Sequence, residues 1–115
     1  MAILVLAALA CGCASTKPLA LHQAALSKEQ VDARGLFTEN CATCHGQDGR
    51  AKTFHGWLVS AQNFTSTRWQ TDTTDAEIVK AIKTGPWVMP AFEKQLSAAE
   101  IAALADYVRT FKPAI

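Results

Sequence analysis

The C-terminal end of the chain carries apolar residues at the spacing of an amphipathic helix. With 3.6 residues per turn, five of them share one face: Ile101, Leu104, Ala105, Val108 and Phe111. Ser97 and Glu100 precede them as a capping box, in which the hydroxyl accepts from a free amide and the carboxylate reaches back. Pro113 lies just beyond the last apolar position, where helices normally stop. The pattern predicts a helix that begins after Ser97 and ends before Pro113.

A second helix is predicted by the same capping pattern further upstream. Thr74 and Glu77 form the capping pair, and Ile78 and Ile82 follow on one face. The pattern ends near Gly85-Pro86, because glycine favours a helix C-terminus and proline cannot continue a helix.

The first predicted helix of the domain begins ahead of these two. Ser27 and Gln30 form its capping pair, and the helix runs through Val31, Gly35 and Phe37. Glycine inside a helix costs about 1 kcal/mol relative to alanine, so Gly35 calls for a reason. Either another helix packs closely against it, or it is a tolerated surface glycine.

No segment alternates between apolar and polar residues as a half-buried strand would, so the predicted fold class is all-α. Residues 46–72 form a long polar connection that contains four aromatic residues: Phe54, Trp57, Phe64 and Trp69. A connection of this length in a small domain normally needs a function or a surface on which to pack.

The N-terminal segment is predicted to be a leader and not part of the fold. Residues 1–14 are almost entirely Ala, Leu, Ile, Val and Cys, and are fewer than the roughly 20 apolar residues that cross a bilayer. They are typical of a secretory signal, or of a lipoprotein leader in which Cys11 or Cys13 is lipidated and tethers the protein to a membrane face. Both alternatives place the mature protein in the bacterial periplasm. Residues 15–27 are a predicted linker, which leaves 28–115 as one domain.

The charge of the chain excludes one class of partner. With 11 basic and 10 acidic residues, the formal net charge is +1, and no basic surface for nucleic acid is expected. Four lysines could form a local positive patch or simply keep the domain soluble: Lys52, Lys80, Lys83 and Lys94.

The segment Cys41-Ala42-Thr43-Cys44-His45 has the C-x-x-C-H pattern of covalent haem c attachment. Each thiol can add to one vinyl group of a porphyrin, and the imidazole of His45 can bind its iron. Haem faces are large and apolar, so they would also give the aromatic residues of 46–72 a surface on which to pack. The sequence therefore predicts one covalently bound haem c.

Two other uses of the cysteine pair stay open at this point. A zinc site needs four ligands and would have to recruit His45 and His55 at an unusual spacing. A thioredoxin-like dithiol would lie within a βαβ pattern, which this sequence does not have.

Met89 is the predicted second ligand of the iron. It lies in Gly85-Pro86-Trp87-Val88-Met89-Pro90, where two prolines stiffen the backbone and would hold the thioether at a set distance. A lone methionine more often fills a gap in a core. His55 is the rival ligand, and bis-histidine ligation would give a lower reduction potential than His/Met ligation.

In these motifs the chain resembles the class I, mitochondrial-type c-type cytochromes, and more narrowly the small monohaem domains of bacteria. The resemblance covers about residues 28–115 and is carried by three segments: Gly35 to Gly46, Met89 to Phe92 and Leu96 to Arg109. It implies a helical fold around one haem, in which the first and last helices cross near Gly35, Phe37 and Tyr107. It also implies thioether bonds from Cys41 and Cys44 and axial ligation by His45 and Met89.

One departure from the family concerns the residue that orients His45. The family commonly has a proline after the haem motif whose carbonyl accepts from the histidine ring, and this chain has none between Pro18 and Pro86. Ala61-Gln62-Asn63-Phe64 occupies the comparable region, and another carbonyl could serve.

These observations predict an electron-transfer protein and not an enzyme. Single electrons would pass between the haem and redox partner proteins through small, transient interfaces. No Ser-His-Asp set or paired-carboxylate motif indicates acid–base catalysis. The alternatives are a haem-based sensor or redox-enzyme subunit with a labile sixth ligand, and a colourless zinc or thiol protein.

Overall fold

Helices alone make up the regular structure of the part of the chain that the computed structural model describes, residues 31–113. They are α1 (Ala33–Asn40), α2 (Ala42–His45), α3 (Phe54–Val59), α4 (Thr67–Asp72), α5 (Asp75–Thr84) and α6 (Ala98–Arg109). No strand occurs within residues 31–113, which confirms the all-α prediction.

Both capping boxes that fall on described residues are present. At α5, the Thr74 hydroxyl accepts from the Glu77 amide at 3.2 Å and the Glu77 carboxylate accepts from the Thr74 amide at 2.7 Å. Ser97 and Glu100 make the same pair of bonds at α6, at 3.2 and 2.7 Å. Helix α5 ends at Gly85, whose φ of 62° is the left-handed conformation that glycine adopts at helix ends.

The capping box of α5 gives the domain a predictable response to acid. Hydrogen bonds from the backbone and hydroxyl of Thr74 hold the pKa of Glu77 below its ordinary value. Because the folded pKa is the lower one, this stabilisation is present above the unfolded pKa and is lost as the pH falls through the folded value. We expect Glu77→Gln to lower the melting temperature at neutral pH and to match the wild type in acid.

Thermal unfolding of both proteins across this pH range checks the prediction. Glu39→Gln, an exposed substitution on α1, controls for the loss of a surface charge. A difference in melting temperature between Glu77→Gln and the wild type that is as large in acid as at neutral pH would contradict it.

Helix α1 is capped by a residue that the sequence pattern did not single out. The carboxylate of Asp32 accepts from the Gly35 amide at 2.8 Å, and Val31 stands before the helix. The predicted start at Ser27 and Gln30 lies outside the described residues. The nearest neighbour of a Cβ at Gly35 would be Asp32, with the carboxyl carbon at 2.9 Å. The atoms nearest to such a Cβ therefore belong to the cap of the same helix and not to a neighbouring helix, which was one of the two alternatives for this glycine.

The core lies where α6 packs against α1 and α5. Phe37 of α1 and Leu104 of α6 are the most deeply buried side chains, at 0% and 1% exposure. The Phe37 ring centroid lies 5.2 Å from that of Tyr107 and 5.2 Å from that of Phe111. Four of the five positions predicted for the apolar face of α6 are fully buried: Ile101, Leu104, Ala105 and Val108. This packing is the contact of first and last helices that the resemblance implies.

The connection predicted over residues 46–72 contains two short helices, α3 and α4. Each begins at a hydroxyl residue, Thr53 or Ser66, whose side chain accepts from the amide three residues on, at 2.8 and 3.3 Å. Helices of six residues are too short to impose a clear apolar period on a sequence, so the pattern indicated a loop. Of the four aromatic residues in this connection, Phe64 and Trp69 pack into the core, whereas Phe54 and Trp57 are mostly exposed.

Within residues 31–113, no helix is both long and apolar enough to cross a membrane. The predicted leader (1–14), its two cysteines Cys11 and Cys13, and the predicted linker (15–27) lie outside the described residues, as does the domain boundary predicted at residue 28.

Candidate functional site

A single helical turn carries both thiols and the imidazole of the C-x-x-C-H segment. Cys41 lies between α1 and α2, and its amide donates to the Phe37 carbonyl at 2.8 Å. Its own carbonyl accepts from the amides of Cys44 (3.2 Å) and His45 (2.9 Å), which closes the turn. Both thiols are free and half-buried. The backbone therefore keeps the three chemical groups together.

The thiol of Cys41 has the wrong acidity for dithiol redox chemistry. Burial, and secondarily the neighbouring Cys44, raises the pKa of Cys41 to about 11. This thiol is therefore protonated at neutral pH. Thioredoxin-like proteins depend on a thiol whose pKa is lowered, because the thiolate is the nucleophile. The structure thus disfavours the dithiol alternative.

The imidazole of His45 is buried and held in one orientation. Its Nδ1 lies 2.9 Å from the backbone carbonyl oxygen of Gln62. Since a carbonyl only accepts, Nδ1 carries the proton and Nε2 keeps the lone pair. Burial lowers the pKa of His45, an effect that the bond to Gln62 partly opposes, so the ring is neutral at pH 7. Neutral imidazole is the form that binds metals.

Phe64 covers one face of this imidazole. The two ring centroids lie 4.3 Å apart and the planes are 18° from parallel. The Phe64 amide donates to the Gly49 carbonyl at 2.7 Å, which fixes the backbone beneath the ring. The segment 61–64, which occupies the region of the family's proline, therefore supplies both the carbonyl that accepts from His45 and a stacked aromatic ring.

Helix α3 packs directly against the helical turn that carries the thiols. The Thr53 hydroxyl donates to the carbonyls of Thr43 (2.8 Å) and Cys44 (3.0 Å) while it caps α3. A Cβ at Gly56 would collide with the Cys44 carbonyl oxygen and lie 2.6 Å from that of Ala51. Only glycine therefore allows α3 to lie this close to α2.

We expect Gly56→Ala to lower the free energy of unfolding by roughly 1–3 kcal/mol, the usual cost of overpacking a tight contact. His55→Ala is the matched control, because His55 is the exposed neighbour on the same helix. Denaturant titration of both variants measures the difference. Equal stabilities of Gly56→Ala and His55→Ala would show that the close approach of α3 to α2 is not needed.

The loop after α5 holds Met89 half-buried against the core. Its amide donates to the Pro86 carbonyl at 3.1 Å, which closes a tight turn with Trp87 at a φ of 57°. The amide of Phe92 donates to the Ile82 carbonyl at 3.0 Å and ties the exit of the loop back to α5. The loop is anchored on both sides of Met89, as its prolines indicate, and the binding of its sulfur to iron stays a prediction.

The alternatives to this site are ligation by His55 and a zinc site. His55 is exposed on α3, with its ring centroid 5.8 Å from that of Phe54. Residues 31–113 bring together no group of three His, Cys, Asp or Glu side chains that could hold a metal ion, so they offer no site for the zinc alternative. Lys83 forms an ion pair with Glu93 at 3.4 Å, which partly neutralises the predicted lysine patch.

Comparison with protein families matches residues 28–108 to cytochrome c oxidase, cbb3-type, subunit III. The chain belongs to this family. It is 34% identical over 90 residues to the cbb3-type cytochrome c oxidase subunit CcoP of Azospirillum brasilense. It is 40% identical over 76 residues to subunit FixP of the same type of oxidase in Azorhizobium caulinodans. These matches cover 72% and 65% of this chain but only 30% and 25% of the relatives.

A solved structure is similar over the same region. The KustC0563 c-type cytochrome superposes with a TM-score of 0.68 and 37% sequence identity, covering 72% of this chain and 100% of its own. The domain is therefore a small monohaem, class I-like c-type cytochrome, and its cofactor is covalently bound haem c.

The side chains of the C-x-x-C-H segment fit that cofactor. Cys41 and Cys44 are free thiols within one helical turn, as two thioether bonds to one porphyrin require. His45 is neutral and directs its proton to Gln62, so Nε2 is the nitrogen left for iron. The residues that hold the imidazole were harder to foresee, because any residue could supply the carbonyl of position 62.

Proposed function

We propose that this domain carries single electrons on one His/Met-ligated haem c. Cys41 and Cys44 would hold the haem through thioether bonds, and His45 Nε2 and the Met89 sulfur would bind its iron. The observation that carries the proposal is the 2.9 Å contact between His45 Nδ1 and the Gln62 carbonyl. It places a ring proton on Nδ1, and because burial favours the neutral imidazole, the lone pair stays on Nε2.

Attachment uses the two thiols without any oxidant. Each S–H adds across one vinyl group, so that a C–S bond forms and the hydrogen ends on the other vinyl carbon.

When bound, the haem supplies reversible one-electron chemistry at its iron. Gln62 orients His45 and raises the basicity of its imidazole. Phe64 restrains rotation of the imidazole by stacking on its face. Met89 offers a soft thioether that favours reduced iron and raises the potential. None of these residues has to move a proton, so electron transfer needs no acid–base catalyst.

The partners of the domain are proposed from the names of its relatives and from the cysteines of its N-terminal segment. The relatives are named as oxidase subunits, and this chain spans less than a third of their length. We propose that the domain is itself not catalytic and exchanges electrons with redox partner proteins of a membrane-associated complex in the bacterial periplasm. A lipid on Cys11 or Cys13 is the membrane tether that the sequence offers.

The test is the visible spectrum of protein made in a host that attaches haem c, recorded in the oxidised and reduced states. The proposal expects a low-spin, six-coordinate spectrum, haem that survives a denaturing gel, and no reaction of the reduced protein with carbon monoxide. Prompt carbon monoxide binding would favour a sensor or redox-enzyme subunit with a labile sixth ligand. Protein without covalent haem would overturn the proposal.

A further inference from the structure

Gln70 is a buried polar side chain that supports the segment beside His45. It lies on α4 and is 6% exposed. Its Nε2 donates to the carbonyls of Phe64 (2.8 Å) and Val108 (3.0 Å), and its Oε1 accepts from Arg109 Nη1 (3.0 Å). Both polar atoms of the amide are therefore paired, as burial requires.

Arg109 anchors this amide from the last turn of α6. Its Nη1 also donates to the Gln70 carbonyl (2.8 Å), and its Nη2 donates to the Thr73 carbonyl (2.6 Å). Its Nε pairs with Asp75 at 2.7 Å. The rigid guanidinium thus fixes Gln70 relative to α5 and α6. Asp75 is 78% exposed, so its contact with Arg109 lies at the surface.

The network ends at the residue that stacks on His45. The backbone of Phe64 is held from two sides, by the Gly49 carbonyl at its amide (2.7 Å) and by Gln70 at its carbonyl (2.8 Å). The Phe64 ring lies on the imidazole, and two residues earlier Gln62 accepts from Nδ1. A shift of the Phe64 backbone would therefore disturb both contacts that orient the imidazole.

We propose that Gln70, anchored by Arg109, is a positioning residue that sets the strength of the His45–Gln62 hydrogen bond and thereby tunes the reduction potential of the haem. This inference rests on the proposed role of His45 as an iron ligand. A strong bond at Nδ1 makes the imidazole more basic and stabilises oxidised iron. Loosening the network should therefore raise the potential.

The test compares the potentials of haem-loaded Gln70→Leu and wild-type protein. Leucine is uncharged and close to glutamine in size, but it donates no hydrogen bond to the carbonyls of Phe64 and Val108. We expect a higher potential and shifted NMR signals of the His45 ring. Asp75→Asn is the matched control, since it removes only the charge of the surface partner of Arg109 and keeps an oxygen that accepts from its Nε, and it should change neither quantity.

Arg109→Lys is the second variant, for the case that Gln70→Leu yields no folded, haem-loaded protein. It keeps the positive charge but loses the fork that holds Gln70, so a smaller shift in the same direction is expected. An unchanged potential and ring spectrum in the variant that folds, or an equal shift in Asp75→Asn, would overturn the inference. Failure of both variants to fold would also overturn it, because the network would then be purely structural. A wild-type spectrum without His45 ligation would instead defeat the proposed function.

Discussion

Met89→Ala is expected to lower the reduction potential of the haem-loaded domain and to open its iron to carbon monoxide. Alanine has no donor atom, so it removes the thioether that favours reduced iron. Axial ligands tune haem potentials over roughly 0.8 V, so the fall should be among the largest that any single substitution in this chain produces. A redox titration and a carbon monoxide difference spectrum of the reduced protein measure the two effects.

Val88→Ala is the control for disturbance of the loop. Val88 is the exposed neighbour of Met89 between the same two prolines, so its truncation should leave the potential and the spectrum unchanged. A Met89→Ala protein that stays six-coordinate with the parent spectrum would exclude Met89 as the ligand. The same measurement on His55→Ala would then test the rival histidine.

The helices that the sequence predicted correctly are those whose ends carry their own chemistry. Thr74 and Ser97 each form both bonds of a capping box, and these depend only on residues three positions apart. Helix α6 also buries a regular apolar face, because it packs against two neighbours. Helices α3 and α4 begin at the capping residues Thr53 and Ser66 but show no apolar periodicity. Their caps were therefore the only sequence feature that could have indicated them.

The candidate site likewise combines residues that a local motif indicates with contacts that only the tertiary fold creates. Cys41, Cys44 and His45 are adjacent in sequence, and their chemistry is specific enough to indicate the cofactor without a structure. The acceptor for His45 is a backbone carbonyl 17 residues away, which no side chain at position 62 could reveal. The pairing of Gln70 with Arg109 joins residues 39 positions apart and depends on how α4 meets α6. Contacts of this kind follow from the tertiary fold and not from local pattern.

The joint substitution Cys41→Ala and Cys44→Ala is expected to abolish covalent attachment of the haem. Both thioether bonds need a thiol, and the described residues contain no other free cysteine. Single substitutions should leave one thioether bond and one unreacted vinyl group, which shifts the absorption of the haem in alkaline pyridine. Haem staining on a denaturing gel, together with the intact mass and the pyridine spectrum, distinguishes proteins with two, one and no thioether bonds.

Thr43→Ala is the matched control for this experiment, because Thr43 is the exposed residue between the attachment positions. The Thr43 side chain takes no part in the addition to the vinyl groups, and Thr43 accepts from the Thr53 hydroxyl through its backbone carbonyl, which alanine retains. The control should therefore retain stoichiometric covalent haem. Without thioether bonds, only non-covalent contacts of the folded protein can hold a haem. The doubly substituted protein should therefore release its haem on unfolding. Haem that stays with this protein on a denaturing gel would show that the two thiols are not the points of attachment.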